Sequence, residues 1–384
     1  MLRITLIGLV LALAGVFWPW EVGAQQGPLR LLGQFSFESK RTYQDTTVGG
    51  LSGLAFDQKR GVYYAVCDDR GENQAPRFYT LQIDTDEGGV KDVRIVGVTY
   101  FDSDAATPGI QPYDRNDSDL EDIQLLADDT LLIASERDKD GKPWVRRFAL
   151  DGSLLGELPV PDRYITVTEP GPDGRPRVIK GVRGNLGFEG MALTPTQQTL
   201  FLANEEALAQ DGPIATLQSG TNIRILRMEL DGAEGRATAE YVYPVEKLFT
   251  SPIPADQFGD NGVSAMLWVR DLLPQFDLLV MERSFATGVG NDVNIYGVTL
   301  EDATDVRDLE ALPNPYNGRF ASKTLLVNMA SVGIAADNLE ALAIGPRLPN
   351  GKPSLLVMSD DNFSAFDPPQ LNQFVLFEVD SAGR

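Results

Sequence analysis

The sequence predicts an all-β fold, a single β-propeller of five four-stranded blades closed by its own N-terminal strand. Three observations predict it. One layout of apolar runs recurs five times, each repeat continues into runs of period-two alternation, and no helical period is found beyond residue 24. Four antiparallel strands repeated along a chain read as blades set around a ring, because one such sheet cannot bury both of its faces alone.

Residues 1–24 read as a signal peptide. Arg3 supplies the positive end, 4–17 is an apolar run, and Val22-Gly-Ala24 puts small residues where a signal peptidase reads. The run is short for a bilayer and Pro19 breaks it, so no stable membrane anchor is expected after cleavage. No cysteine follows it, which excludes a lipoprotein anchor. The remaining 25–384 is expected to be one propeller domain, periplasmic or secreted, and monomeric.

Each repeat opens with a short run headed by a small or acidic residue, turns, and returns as a second run ending in acid. The pairs are 50–56 with 62–69, 119–126 with 130–136, 187–193 with 199–206, 263–269 with 277–283, and 337–344 with 354–361. Alternating third runs follow at 78–84, 145–151, 223–231, 293–300 and 374–380. Alternation of this kind bounded by Asp and Gly reads as strand. Fourth strands are expected at 93–100, 154–160, 239–245 and 323–329. The fifth repeat ends before its own, and 31–37 is left over to supply it. Gly-, Pro- and Asp-rich stretches at 101–118, 161–186, 206–221, 246–262 and 301–322 read as loops. A degenerate sixth blade hidden in them is the alternative count.

Composition limits the chemistry. The chain has no histidine and one cysteine, with 33 Lys+Arg against 55 Asp+Glu and a formal charge of −22. There is therefore no Ser-His-Asp machinery, no histidine- or cysteine-ligated zinc, and no intramolecular disulfide. Arg3 and Glu21 cancel, so the mature chain keeps the whole negative charge, which argues against nucleic acid as a partner. Cys67, Trp144 and Trp268 read as core. Gly49-Gly-Leu-Ser-Gly53 is no nucleophile elbow, since nothing here can activate Ser52. Asp114-Arg-Asn-Asp-Ser-Asp119 opens like a calcium loop but lacks the glycine at the sixth position and the acid at the twelfth.

In an antiparallel hairpin the start of the first strand lies beside the end of the second. The acids opening the first run and closing the second should then share one rim and face one axis. The opening set is Asp119, Glu121, Glu189, Asp337 and Glu340, with Ser52 and Ser264 in the equivalent slots of repeats one and four. The closing set is Asp68, Asp69, Glu136, Glu205, Glu206, Glu282, Asp360 and Asp361. So many carboxylates at one mouth repel one another unless cations compensate. Arg70, Arg137 and Arg283 each follow a closing acid, suited to pair with it or to hold a small anionic substrate. An all-oxygen donor set of mixed geometry suits Ca²⁺ better than softer or strictly octahedral metals. The expected metal ligands are Asp68, Asp69, Asp119, Glu121, Glu136, Glu189, Glu205, Glu282, Glu340 and Asp360. The expected catalytic residues are Glu189, Glu121, Arg70, Arg137 and Arg283. The competing reading is that such acids only tie strand ends and neighbouring blades together through backbone N–H groups.

The segments Gly49-Gly-Leu-Ser-Gly-Leu54, Asp119-Leu-Glu-Asp122, Asn185-Leu-Gly-Phe-Glu-Gly-Met-Ala-Leu193, Met281-Glu-Arg283, Asp337-Asn-Leu-Glu-Ala-Leu-Ala343 and Ser359-Asp-Asp-Asn-Phe363 together resemble the phytase-like, "esterase-like activity of phytase" family. The resemblance spans roughly 45–380. It implies a propeller, a phosphoesterase-type activity and calcium near a polar rim. A phytase pocket for a polyphosphorylated ring would be strongly basic, and this chain is acidic overall. Three functions stay open: a calcium-dependent phosphoesterase or esterase, a non-catalytic propeller binding a ligand or protein at its rim, and a metal-dependent lactonase.

Overall fold

In the computed structural model the described residues are 27–381, apart from 108, 233 and 365–368. The signal-peptide reading of 1–24 lies outside them. Five four-stranded antiparallel sheets form the blades, with no sixth among the described residues. From the inside outward, blade one is Leu51–Asp57, Val62–Cys67, Arg77–Asp86 and Gly89–Tyr100. Blade two is Leu120–Leu125, Thr130–Ser135, Trp144–Ala149 and Leu154–Leu158. Blade three is Phe188–Leu193, Thr199–Asn204, Thr221–Asp231 and Glu234–Val245. Blade four is Gly259–Trp268, Leu278–Ala286, Gly290–Thr299 and Ser322–Asn328. Blade five is Asn338–Ile344, Ser354–Asp360, Leu371–Val379 and, outermost, the N-terminal strand Leu29–Glu38. The first strand of each blade meets the first strands of its two neighbours, and that of blade five meets blade one, so these strands line the axis.

The closing strand pairs antiparallel from Leu29 opposite Val379 to Glu38 opposite Leu371, with one register shift between Leu31 and Gly33. At its outer edge Arg30 grips Glu378 with two hydrogen bonds, Nε to Oε1 at 3.1 Å and Nη2 to Oε2 at 2.8 Å. That contact holds the Glu378 carboxyl down at about 2.

The core is five separate layers, one between each pair of neighbouring blades. Successive side chains of a strand point to opposite faces. In blade five, Leu355 and Val357 accordingly pack against blade four, whereas Leu356 and Met358 pack against blade one. Both faces of a blade are therefore buried. This is why the second runs read as unbroken apolar stretches instead of alternating ones.

Several boundaries differ from expectation: the fourth strands of blades one and three already start at Gly89 and Glu234, before the expected 93 and 239. The fourth strand of blade two stops at Leu158, not at 160. Pro159 and Pro161 have no N–H to give the ladder. The first strand of blade four starts at Gly259, four residues before the expected 263, because Gly259–Gly262 pair with Arg283–Ala286. The loop 161–186 carries a small hairpin of its own, Val167–Pro170 with Pro176–Lys180, too short to be a blade. No helix among the described residues is long and apolar enough to cross a membrane.

Candidate functional site

One backbone device repeats in all five blades. The ladder between the first and second strands slips by one residue, leaving Ser52, Glu121, Glu189, Ser264 and Glu340 as the extra residue of a β-bulge. A bulge re-aims its extra side chain out of the regular alternation. The residue after each bulge is Gly53, Asp122, Gly190, Ala265 or Ala341. Little room exists there, since a Cβ on Gly53 would come within 2.6 Å of the Asp122 Cα, and one on Gly190 within 2.9 Å of Met266. Neighbouring inner strands thus approach closely at one level, and the five bulge residues form a ring at that level.

The bulge also fixes which closing residues are equivalent. Opposite the residue before it stand Cys67, Ser135, Asn204, Glu282 and Ser359. The next residues along, Asp68, Glu136, Glu205, Arg283 and Asp360, make the second ring. Blade four therefore places an arginine where the other four place a carboxylate.

Five of the expected acids come together between blades one, two and three. Carboxylate oxygens of Asp68, Asp119 and Glu121 lie within 4.8 Å of one another, and so do those of Glu121, Glu136 and Glu189. Such a cluster of acids could bind a metal. Asp119 and Glu136 are 2% and 0% exposed. Even so, Asp119 Oδ1, Glu136 Oε2 and Asp68 Oδ1 have no hydrogen-bond partner in the protein. Each buried oxygen left this way costs its full desolvation unless a cation or a proton meets it. The electrostatics agree. Burial, then repulsion from Asp119, pushes Glu136 up to about 8, despite the Gly187 N–H donated to Oε1 at 2.8 Å. Burial first, and neighbouring carboxylates second, also hold Asp68, Glu121 and Glu189 well above the carboxylate range.

Arg137 and Arg70 approach the same cluster from outside. Arg137 donates Nε to Asp119 Oδ2 at 2.9 Å and Nη2 to Asn185 Oδ1 at 2.7 Å. Arg70 donates Nη1 to the same Asn185 oxygen at 3.2 Å, with its Nε 3.8 Å from Asp119 Oδ1. Both line a cavity of about 330 Å³, with Lys139, Asn116 and Thr166 also on its wall. A cavity walled by three cationic side chains and by Asp138 thus adjoins an acidic cluster.

The other expected residues go elsewhere. Arg283 spans three blades, donating Nη2 to Glu205 Oε1 at 3.2 Å and Nη1 to Asn338 Oδ1 at 2.6 Å and to Glu340. Burial lowers its pKa, but Glu340, Glu205 and Glu189 more than offset that and hold it raised. It is an internal cation that ties the ring, and it is absent from the cavity wall. Asp360 stays in the ring, with Oδ1 accepting the Asn362 N–H at 2.8 Å. Asp69 and Glu282 turn away from the axis. Asp69 accepts the N–H groups of Glu72, Asn73 and Gln74 and the Arg77 guanidinium, all within 3.0 Å. Glu282 accepts from Tyr243, Glu246, Asn261 and Lys323, between 2.7 and 3.2 Å. These two fit the competing expectation of acids that serve as structural ties.

Sequence reasoning missed Asn185, Lys139 and the assignment of Arg283 to the carboxylate slot. Asn185 and Lys139 lie in loops that no repeat marks. Arg283 was masked by Glu282 beside it, since counting back from the acid puts the wrong residue in the slot. The signal that finds it is the triplet apolar, Ser/Glu, small at each bulge.

Among known proteins, the family model described as "Phytase-like: Esterase-like activity of phytase" matches residues 46–363. No curated protein matches the chain. Solved structures of similar shape include the periplasmic gluconolactonase of Pseudomonas aeruginosa, 15% identical over 88% of this chain and 87% of that one, TM-score 0.35. Another is the aldose sugar dehydrogenase of Escherichia coli, 12% identical over 90% of this chain and 99% of that one, TM-score 0.37. Likenesses this weak carry no argument about function.

Proposed function

Because the chain belongs to the phytase-like, "esterase-like activity of phytase" family, we propose that it is an extracytoplasmic hydrolase of small anionic esters, phosphate esters first among them, working with calcium at the channel mouth. The observation that carries the reading is the pair of buried oxygens of Asp119 and Glu136 that accept no hydrogen bond, in the cluster that the Arg70–Arg137 cavity adjoins. The donors available are all carboxylate oxygens, which suits calcium. Asp68, Asp119, Glu121, Glu136 and Glu189 are the residues that would hold it. Bound there, a divalent cation supplies Lewis acidity toward the ester oxygen and toward water.

The remaining steps belong to the chain's own groups. Arg70 and Arg137, preset by Asn185 Oδ1, hold the anionic end of the substrate and stabilise charge that builds on it. Water adds through oxygen to the phosphoryl or acyl centre while the bond from that centre to the alcohol oxygen breaks. The proton lost by water passes to a carboxylate and then to the departing alcohol.

The test is hydrolysis by the mature protein of an aryl phosphate, an aryl acetate and a lactone, after chelation and after return of calcium. Calcium-restored turnover that Glu189→Gln abolishes supports the reading. Turnover of the lactone alone moves the substrate class to lactones. No turnover of any of the three leaves a binding propeller whose acids hold cations or blades without chemistry.

A further inference from the structure

Resting on the cation site just proposed, the geometry points to two adjacent cations bridged by Glu121, with Arg283 standing in for any further one around the ring. The inference comes from comparing the boundaries between blades. At each boundary the ring offers the bulge residue and the closing residue of one blade and the bulge residue of the next.

Between blades two and three these are Glu121, Glu136 and Glu189, three carboxylates whose oxygens share one 4.8 Å neighbourhood. Between blades one and two they are Ser52, Asp68 and Glu121, and Asp119 adds the third carboxylate that Ser52 does not supply. Glu121 belongs to both groups. Each group also contains a buried oxygen that accepts no hydrogen bond: Asp119 Oδ1 in one, with Arg70 Nε 3.8 Å away, and Glu136 Oε2 in the other. Had one cation sufficed, one group would be expected to close on itself through hydrogen bonds, as Asp69 and Glu282 do.

The other boundaries differ. Between blades three and four, Ser264 replaces the acid and the Arg283 guanidinium bonds Glu205 at 3.2 Å. Between blades four and five the closing residue is Arg283 itself, bonded to Glu340. Between blades five and one, Ser52 again replaces an acid, Glu340 is already engaged by Arg283 and by Asn338 Nδ2 at 2.8 Å, and the closing Asp360 accepts the Asn362 N–H at 2.8 Å. A guanidinium is a permanent cation with a fixed fork of donors, so it neutralises these carboxylates without a metal. Charge compensation is thus built in on blades three to five through Arg283, whereas on blades one to three Asp119 meets Arg137 at 2.9 Å and Arg70 at 3.8 Å, and Asp68, Glu121, Glu136 and Glu189 make no ion pair among the described residues.

The test is the number of ions bound to the intact mature protein, read by equilibrium dialysis against calcium with elemental analysis. Two ions per chain are expected in the wild type. One should remain in Asp119→Asn, one in Glu136→Gln, and none held tightly in Glu121→Gln. One ion in the wild type, removed by Glu121→Gln, overturns the pair and leaves the cation site standing. No ion in the wild type overturns both. Should a variant fail to fold, loading the wild type with mixed Tb³⁺ and Eu³⁺ decides the matter. Energy transfer from Tb³⁺ to Eu³⁺ is expected for neighbouring sites, and its absence at full loading overturns the pair.

Discussion

Arg283 of blade four places its Nη2 3.2 Å from Glu205 Oε1 of blade three, across a boundary where the blades meet through buried side chains. Both residues are nearly buried, with side-chain exposures of 13% and 7%. Removing one member of such a pair leaves a bare charge in a poor solvent. We expect Arg283→Met to lower unfolding stability by about 3–5 kcal/mol, the cost found when a buried pair loses one partner. Urea denaturation in the presence of chelator measures it. A loss under about 1 kcal/mol, the range of an exposed pair, would show that the guanidinium is not the ring's internal cation.

Stability of the metal-free protein should fall as pH rises. Glu136 and Asp122 are each pushed up to about 8 in the folded chain, burial being the first cause for both. Unfolded carboxyls titrate near 4, so between about pH 4 and pH 8 the folded state holds protons that the unfolded state has released. Stability from these groups is present below the unfolded value and is lost toward the folded one, by about 1.4 kcal/mol per pH unit for each such carboxyl. Glu378 has the opposite sign, being held at about 2, but its contribution disappears only below the usual carboxyl range and leaves this window clear. Melting temperatures in chelator from pH 5 to 8 should decline, and Glu136→Gln should flatten the slope. A rising curve would mean these carboxyls are charged in the folded state without metal.

Phe37 on the closing strand is 3% exposed and stacks on Phe374 with ring centroids 5.9 Å apart. It seals the layer between blades five and one. Phe37→Ala should cost about 3–5 kcal/mol of stability through lost burial and a cavity. Denaturation of the variant reads this directly. A cost below about 1 kcal/mol would mean the strand is a loose appendage to blade five.

Asn185 presets both cavity arginines through one carbonyl oxygen. Asn185→Ala should raise KM for an anionic ester several-fold and leave the calcium count unchanged. Unchanged KM would take the Arg70–Arg137 cavity out of substrate binding.

The ring and its closure were legible because repetition and period-two alternation both follow from packing every blade on two neighbours. The leftover run 31–37 had one place to go, and it pairs there. Glu121, Glu189 and Glu340 were legible as a set because the same slot recurs. The partition of the acids was not. Asp68 and Asp69 look alike in sequence, yet one stays in the ring and the other folds back onto the N–H groups of 72–74. That choice depends on the turn after the strand. The slot of Arg283 depends on a bulge, which shifts register by one residue and is marked in the sequence only by the short triplet Val263-Ser-Ala265.

The central claim is that the carboxylates of blades one to three form a cation site and are not merely structural ties. The most direct measurement is melting temperature in calcium, magnesium and sodium at equal ionic strength, for the wild type and Glu121→Gln. Screening of the −22 charge acts alike in every salt at matched ionic strength, so only specific binding separates them. A site at hundredfold excess over its Kd adds about 2.7 kcal/mol. Calcium should raise the wild-type midpoint well above sodium, magnesium less so, and Glu121→Gln should lose the difference. Equal midpoints in calcium and sodium for the wild type would contradict the claim and return these acids to a structural role.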